Sequence, residues 1–189
     1  MSERDALLRA ICDNPDDDTA RLVFADWLQE HGDEERAEFI RLQIQLSRGN
    51  YRPSEEAKLK RRLKKLNVHT ASWKLEFPKA EHVAFRRGFI ERACLLNGND
   101  LERVIATAPL QYVWVRGVVD LIAALKVPGI DRVDCLDLES ASIREVDIET
   151  FLETEWPIRS KRLLLPSAQD ELRDRVLARF RGWAWIKPP

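Results

Sequence analysis

Apolar residues in the first 75 positions recur every three to four places, a period that predicts helices. Ser2 stands before Glu3, Arg4 and Asp5 in a capping-box-like order, and Leu7, Leu8 and Ile11 follow at helical spacing. Asn14 and Pro15 interrupt this helix. Asp16, Asp17 and Asp18 then place negative charge on the first turn of a second one, where the macrodipole favours it. Its inward residues are expected to be Leu22, Val23, Trp27 and Leu28, with His31 and Gly32 at its C-terminal end. Asp33 opens a third helix striped by Phe39, Ile40, Leu42 and Leu46. After a break at 49–53, Ser54 with Glu55 and Glu56 is expected to cap a fourth, whose Leu59, Leu63 and Leu66 form one stripe.

From residue 81 the period shortens toward two. Strand-like runs at 89–96, 111–117, 132–139, 161–166 and 183–187 alternate with helix-like runs at 99–106, 118–126, 142–154 and 167–180. Two of the helical runs open with capping boxes, Ser142/Glu145 and Ser167/Asp170. With Leu95, Val115, Leu138, Leu165 and Ile186 as markers, the strands repeat at intervals of 20, 23, 27 and 21 residues. One strand and one helix per unit of that length fits a leucine-rich-repeat solenoid, in which each unit buries its apolar side on its neighbours. A worn L-x-x-L-x-L signature supports it at Leu110/Val113/Val115, Val133/Leu136/Leu138 and, more weakly, Ile90/Ala93/Leu95. The asparagine that normally follows is absent, so the array is expected to be irregular. An open doubly wound sheet would alternate strand and helix in the same way. The reading adopted is α/β: a helical domain over 1–80 capping a short, irregular leucine-rich-like β/α solenoid over 81–189.

Charge adds a division that the periodicity does not give. The net charge is −1, yet residues 1–50 carry −6 and residues 51–80 carry +6. The whole protein therefore has no cationic field to draw it onto nucleic acid or lipid, and any such contact must be local. The local candidate is the fourth helix, where Lys58, Arg61, Arg62 and Lys65 surround the leucine stripe; a solvated face is the simpler account of such a run. Three widely spaced cysteines, Cys12, Cys94 and Cys135, argue for reduced thiols and a cytoplasmic address. No apolar run approaches the roughly 20 residues of a membrane span, and the first residues lack the pattern of a secretory signal, so no membrane association is expected.

The stretch Leu7 to Gln43, LLRAICDNPDDDTARLVFADWLQEHGDEERAEFIRLQ, closely resembles the bacterial repeat-companion domain. Members of that family share an LxxIxxxPDDDxxRLVxADWLxExGDxxRAEFIRxQ pattern. Further on, the chain is similar to members in its basic helix, a Trp-containing helix at Val68 to Leu75 and an FRRGF-like segment at Phe85 to Phe89. The resemblance implies a companion domain followed by leucine-rich-type repeats. It implies no reaction and carries over no catalytic residue.

The residues themselves point the same way. Asp16 to Asp18 lack the spacing of a calcium loop and diverge by about 100° per residue on a helix, so a metal site is not expected there. Asp26 is expected to hold an arginine such as Arg21 or Arg41. His31, His69 and His82 stand apart from one another, and neither zinc-ligand spacing, a nucleophile elbow nor a phosphate-binding glycine loop occurs. No cofactor and no enzymatic activity are expected. A solenoid instead offers a strand face, here Arg92, Cys94, Tyr112, Trp114, Arg116, Asp137, Glu139, Arg162 and Leu164. Trp, Tyr and Arg dominate binding energetics, so Trp114 between Tyr112 and Arg116 is a candidate anchor for a protein partner, unless it packs as core under a neighbouring loop. The function expected is a non-enzymatic interaction module or adaptor. The alternative is nucleic-acid association through Lys58, Arg61, Arg62 and Lys65. Trp183 and Trp185 are expected to seal the last repeat.

Overall fold

The computed structural model describes residues 2–75, 80–143, 162–164, 174, 175 and 178. It is a mixed α/β structure with a five-stranded, mostly parallel sheet. The chain forms two compact units. One comprises 1–78 with 84–91 and 107–109, the other 79–83, 92–106 and 110–189.

The first unit begins with α1 (Glu3–Asp13), α2 (Asp18–Glu30), α3 (Glu34–Arg48), α4 (Pro53–Leu66) and α5 (Thr70–Leu75). The first four starts are each set by a side chain that accepts from an otherwise unpaired backbone N–H. Ser2 and Asp5 form a reciprocal box, Asp17 accepts from Thr19, and Asp33 accepts from Arg36. The fourth start differs from expectation: the helix begins at Pro53, before Ser54, and the Glu55 carboxylate accepts from the backbone of Arg52. Proline suits that first position because its missing N–H is one that the helix does not use.

The inward stripe of α2 also differs. Val23 is 47% exposed, and Arg21, Phe24, Ala25 and Leu28 are the buried residues. Phe24, Ala25 and Leu28 join Ile11, Ala37, Ile40, Ile44 and Phe89 in one cluster. A second cluster sets Leu59, Leu63 and Leu66 of α4 against Phe39, Leu42, Trp73 and Phe85. Beside it the Arg36 guanidinium lies 4.5 Å from the Trp73 ring centre, 5.2 Å from Phe85 and 5.6 Å from Phe39, where the ring faces attract a cation. Asp26 holds Arg41 at 2.6 Å, one of the two arginines expected. His31 ends α2, donating from Nδ1 to the Trp27 carbonyl at 2.7 Å and stacking on the Trp27 ring.

The alternation along the chain gives no sign of β1 (Ala80–Arg86), which pairs with β2 (Phe89–Leu95) across the two-residue turn Arg87–Gly88. So short a link permits only antiparallel pairing. Arg87 (φ 47°) and Gly88 (φ 87°) both take the left-handed conformation that a type I′ hairpin turn demands. The tip of this hairpin is part of the helical unit. Arg21 of α2, with 0% exposure, donates to the carbonyls of Pro15 (2.6 Å), Arg87 (3.2 Å) and Arg86 (3.3 Å) and pairs with Glu91 at 2.8 Å. Arg87 adds bonds to Pro15 and Asp16 and pairs with Glu91 at 3.1 Å. Burial pushes the Glu91 carboxyl up, and the charges of Arg21, Arg87 and Arg86 pull it back. The expected first-turn aspartates therefore split in role: Asp17 caps α2, while Asp16 and Asp18 face Arg87 at 3.3 and 3.6 Å.

In the second unit β2 is followed by α6 (Leu101–Thr107), β3 (Tyr112–Val115), β4 (Val118–Val119), α7 (Leu121–Leu125), β5 (Cys135–Asp137), β6 (Ser142–Ile143) and β7 (Arg162–Leu164). The main sheet runs β1-β2-β3-β5-β7, and each neighbouring pair from β2 onward is parallel. β4 and β6 form a separate parallel pair. Two expectations are corrected by that pair. Ser142 lies in a strand, so it does not open a helix, and the helix expected from Val118 starts at Leu121 with Asp120 as its cap. β-branched Val118 and Val119 suit a strand, and Asp120 then accepts the backbone N–H of Ala123. The rest of the helix expected over 142–154, Glu145 included, lies outside the described residues, as do the capping pair Ser167/Asp170 and the strand at 183–187 with Trp183 and Trp185. Of the helix expected over 167–180, residues 174, 175 and 178 are described, and they are helical.

Candidate functional site

Register decides what the strand face carries. Ala93, Val113, Leu136 and Leu163 are aligned neighbours across the sheet and all are buried, so alternation sends the residues on either side of each to the other face. One row across that face aligns Arg92, Tyr112 and Cys135, with Arg162 as the β7 residue in register. The next aligns Cys94, Trp114, Asp137 and Leu164. Arg116 and Glu139 follow one step beyond. The seven residues singled out as a docking set, Arg92, Tyr112, Trp114, Arg116, Asp137, Glu139 and Arg162, thus lie on β2, β3, β5 and β7 or directly after them.

Tyr112 is the hub. Its hydroxyl donates to Asp137 Oδ2 at 2.6 Å across the β3–β5 boundary, and its ring meets Trp114 edge to face at 6.0 Å. The Arg92 guanidinium sits 5.7 Å from the Tyr112 ring centre. Asp137 uses its other oxygen to accept the Glu139 backbone N–H at 3.1 Å, which fixes the carboxylate at both ends. Tyr112, Trp114 and Asp137 are half-buried, while Arg92, Arg116 and Glu139 are exposed. Trp114 is therefore neither closed core nor freely exposed.

Cys94 belongs to the outward set by alternation but is fully buried, and Cys135 beside Tyr112 is buried too. Their size explains it: a thiol is short enough for the neighbouring rings to close over it. Burial raises the Cys94 thiol above its ordinary value, Glu81 adds to that, and Arg116 and a hydrogen bond with Trp114 oppose it. All three cysteines are buried, and none is in a disulfide among the described residues.

Two members of this surface lie outside the set named from the sequence. Glu81 pairs with Arg116 at 3.4 Å, and it comes from β1, which the alternation does not reveal. Leu96, 52% exposed, follows the last residue of β2 beside the row of Arg116, and the period of two through Cys94 marks it.

Tyr112 also makes a pH prediction. Burial, and after it the hydrogen bond to Asp137 and that group's charge, raise its phenol far above the ordinary value of 10.0. The folded chain keeps this proton where the unfolded chain releases it. Its contribution to stability is complete below pH 10.0 and declines as pH rises from there. Denaturant midpoints measured across that window are expected to fall for the wild type and to fall less for Tyr112→Phe; parallel curves would contradict the assignment.

The basic candidates lie in the first unit. Lys58, Arg61 and Lys65 of α4 are exposed, and among the described residues Arg61 donates only to the Ala57 carbonyl of its own helix. Arg62 is held by Glu38 of α3. Lys58, Lys64 and Lys65 have no acidic partner among the described residues.

No described helix is long and apolar enough to cross a membrane. None of the family models, curated proteins or solved structures compared with the chain matches it.

Proposed function

We propose that this chain is a non-enzymatic interaction module: a helical region of the repeat-companion type followed by an irregular leucine-rich-like solenoid, with a protein partner docking on the strand face. The solenoid reading is supported by strand order. β2, β3, β5 and β7 follow one another across the sheet in chain order, whereas a doubly wound sheet reverses direction at a switch point. It is supported also by burial of one triplet per strand: Ile90/Ala93/Leu95, Leu110/Val113/Val115 and Val133/Leu136/Leu138. The companion assignment rests on the Leu7 to Gln43 pattern.

The observation that carries the docking reading is the half-exposed pair Tyr112 and Trp114, held by Asp137 and Arg92 and bordered by exposed Arg116 and Glu139. Rings already fixed in place lose little entropy on binding, which is the property of a docking anchor. Asp137 is fully engaged and Tyr112 holds its proton tightly, which favours binding over acid–base chemistry at this face.

A photo-reactive residue placed at Arg92 or Glu139 in cells is expected to capture one defined protein, and the same residue at Glu102 on α6 is expected not to. With that partner purified, Trp114→Ala should weaken binding by on the order of 30-fold, equivalent to ~2 kcal/mol. Equal capture from Glu102, or unchanged affinity in Trp114→Ala, would defeat the reading.

A further inference from the structure

The cationic side of α4 belongs to neither the strand face nor the core, and it calls for a partner of its own. Leu59, Leu63 and Leu66 are taken up by Phe39, Leu42, Trp73 and Phe85, so the helix keeps no apolar stripe to insert into a lipid surface. What it presents outward is Lys58, Arg61, Lys64 and Lys65, all exposed. Several other surface cations of this unit are matched: Arg41 by Asp26, Arg48 by Asp18, Lys60 by Glu56 and Arg62 by Glu38. The four outward cations have no acidic partner among the described residues. Within α4, Lys60 and Arg62 are thus neutralised and these four are not.

We propose that α4 docks on the phosphate backbone of duplex DNA. The choice of partner follows from what the helix lacks as well as from its charge. Single-stranded nucleic acid is held largely by bases stacking on aromatic rings, and no residue from Lys58 to Lys65 is aromatic. The deep, narrow major groove of duplex RNA does not admit a helix. The DNA major groove, about 12 Å wide, admits one of about 10–12 Å diameter, and there cations at both margins of its outer side meet phosphates. Lys58 and Lys65 lie about 10 Å apart along the axis, a span that crosses several phosphates. With a net charge of −1 the rest of the chain adds no attraction, so the contact is weak and independent of base sequence. This inference does not rest on the strand-face reading, and either can fail without the other.

Fluorescence anisotropy with a labelled 20-base-pair DNA duplex, titrated across a salt series, tests it. Four neutralised phosphates give an expected slope of log affinity against log salt of about −3 to −4. Replacing Lys58, Arg61, Lys64 and Lys65 with Gln should bring the slope close to zero and lower affinity at low salt by about tenfold or more, with an unchanged circular dichroism spectrum. If that variant loses helicity, the pairs Lys58→Gln/Arg61→Gln and Lys64→Gln/Lys65→Gln are each expected to remove about half of the slope. Absence of duplex binding at low salt, or a slope untouched by all these substitutions, overturns the proposal. So does binding that is equal or tighter to polyglutamate, to phosphatidylserine vesicles, to single-stranded DNA or to duplex RNA.

Discussion

Glu91→Ala is expected to lower folding stability by about 3–5 kcal/mol, the range found when one partner is removed from a buried ion pair. The reason lies in what stays behind. Arg21 is wholly buried, and its Nε has no hydrogen-bond partner among the described residues. Without Glu91 it faces Arg87 across the shared carbonyl of Pro15 with no buried carboxylate between the two cations. Arg21→Met should cost a similar amount by a different route, because it strips the carbonyls of Pro15, Arg86 and Arg87 of a donor. The double variant Arg21→Met/Glu91→Leu is therefore expected to be markedly more stable than the sum of the two single losses, since it removes both charges together. Urea midpoints of the three variants, closed as a double-mutant cycle, measure this. A loss under about 1 kcal/mol for Glu91→Ala would mean that the cluster is not a keystone of the helical unit.

That cluster also marks where the sequence stops being readable. Helices and parallel strands are legible because they rest on local signals: Ser2, Asp17 and Asp33 act as caps within their own turns, and Val113, Leu136 and Leu163 alternate within their own strands. Arg21 defeats a pattern reading, since an arginine in an apolar stripe is ordinarily placed outside, and Val23 is drawn inward to fill the gap. Its true position depends on Glu91, 70 residues away, and no period reports a partner at that distance. β1 is missed for a related reason. Its residues alternate Ala80, Glu81, His82, Val83 with weak contrast, and what holds the end of the hairpin in the helical unit is Phe85 and Phe89 packing against helix residues. On the strand face the charged and aromatic positions could be named from alternation, but the Tyr112–Asp137 bond could not. It requires the register that sets Trp114 beside Asp137, and register follows from pairing, which the sequence of a single strand does not specify.

Gly88→Ala is expected to destabilise the helical unit by about 3 kcal/mol or more, from two separate causes. The first is the backbone. At φ 87° a Cβ meets its own carbonyl, at a cost of about 1–2 kcal/mol. The second is space: a Cβ at Gly88 would lie 2.7 Å from the Cα of Ile40, which is main chain in the middle of α3 and has no rotamer by which to retreat. The Gly88 N–H also donates to the Gln43 side chain at 2.8 Å, so displacing the hairpin tip to relieve the clash breaks that bond and disturbs the Arg87 contacts beside it. Two other glycines separate these causes within the same unit. Gly32 (φ 84°) and Gly49 (φ 66°, ψ −160°) also sit at positive φ, each at its own backbone cost, but a Cβ at either meets nothing within 4 Å among the described residues. Gly32→Ala and Gly49→Ala should therefore lose only the backbone amount, and the excess loss in Gly88→Ala isolates the contact with Ile40. Denaturation midpoints of the three variants decide it. Equal losses at all three positions would show that the hairpin tip does not press on α3, and that Gly88 is required only by its turn.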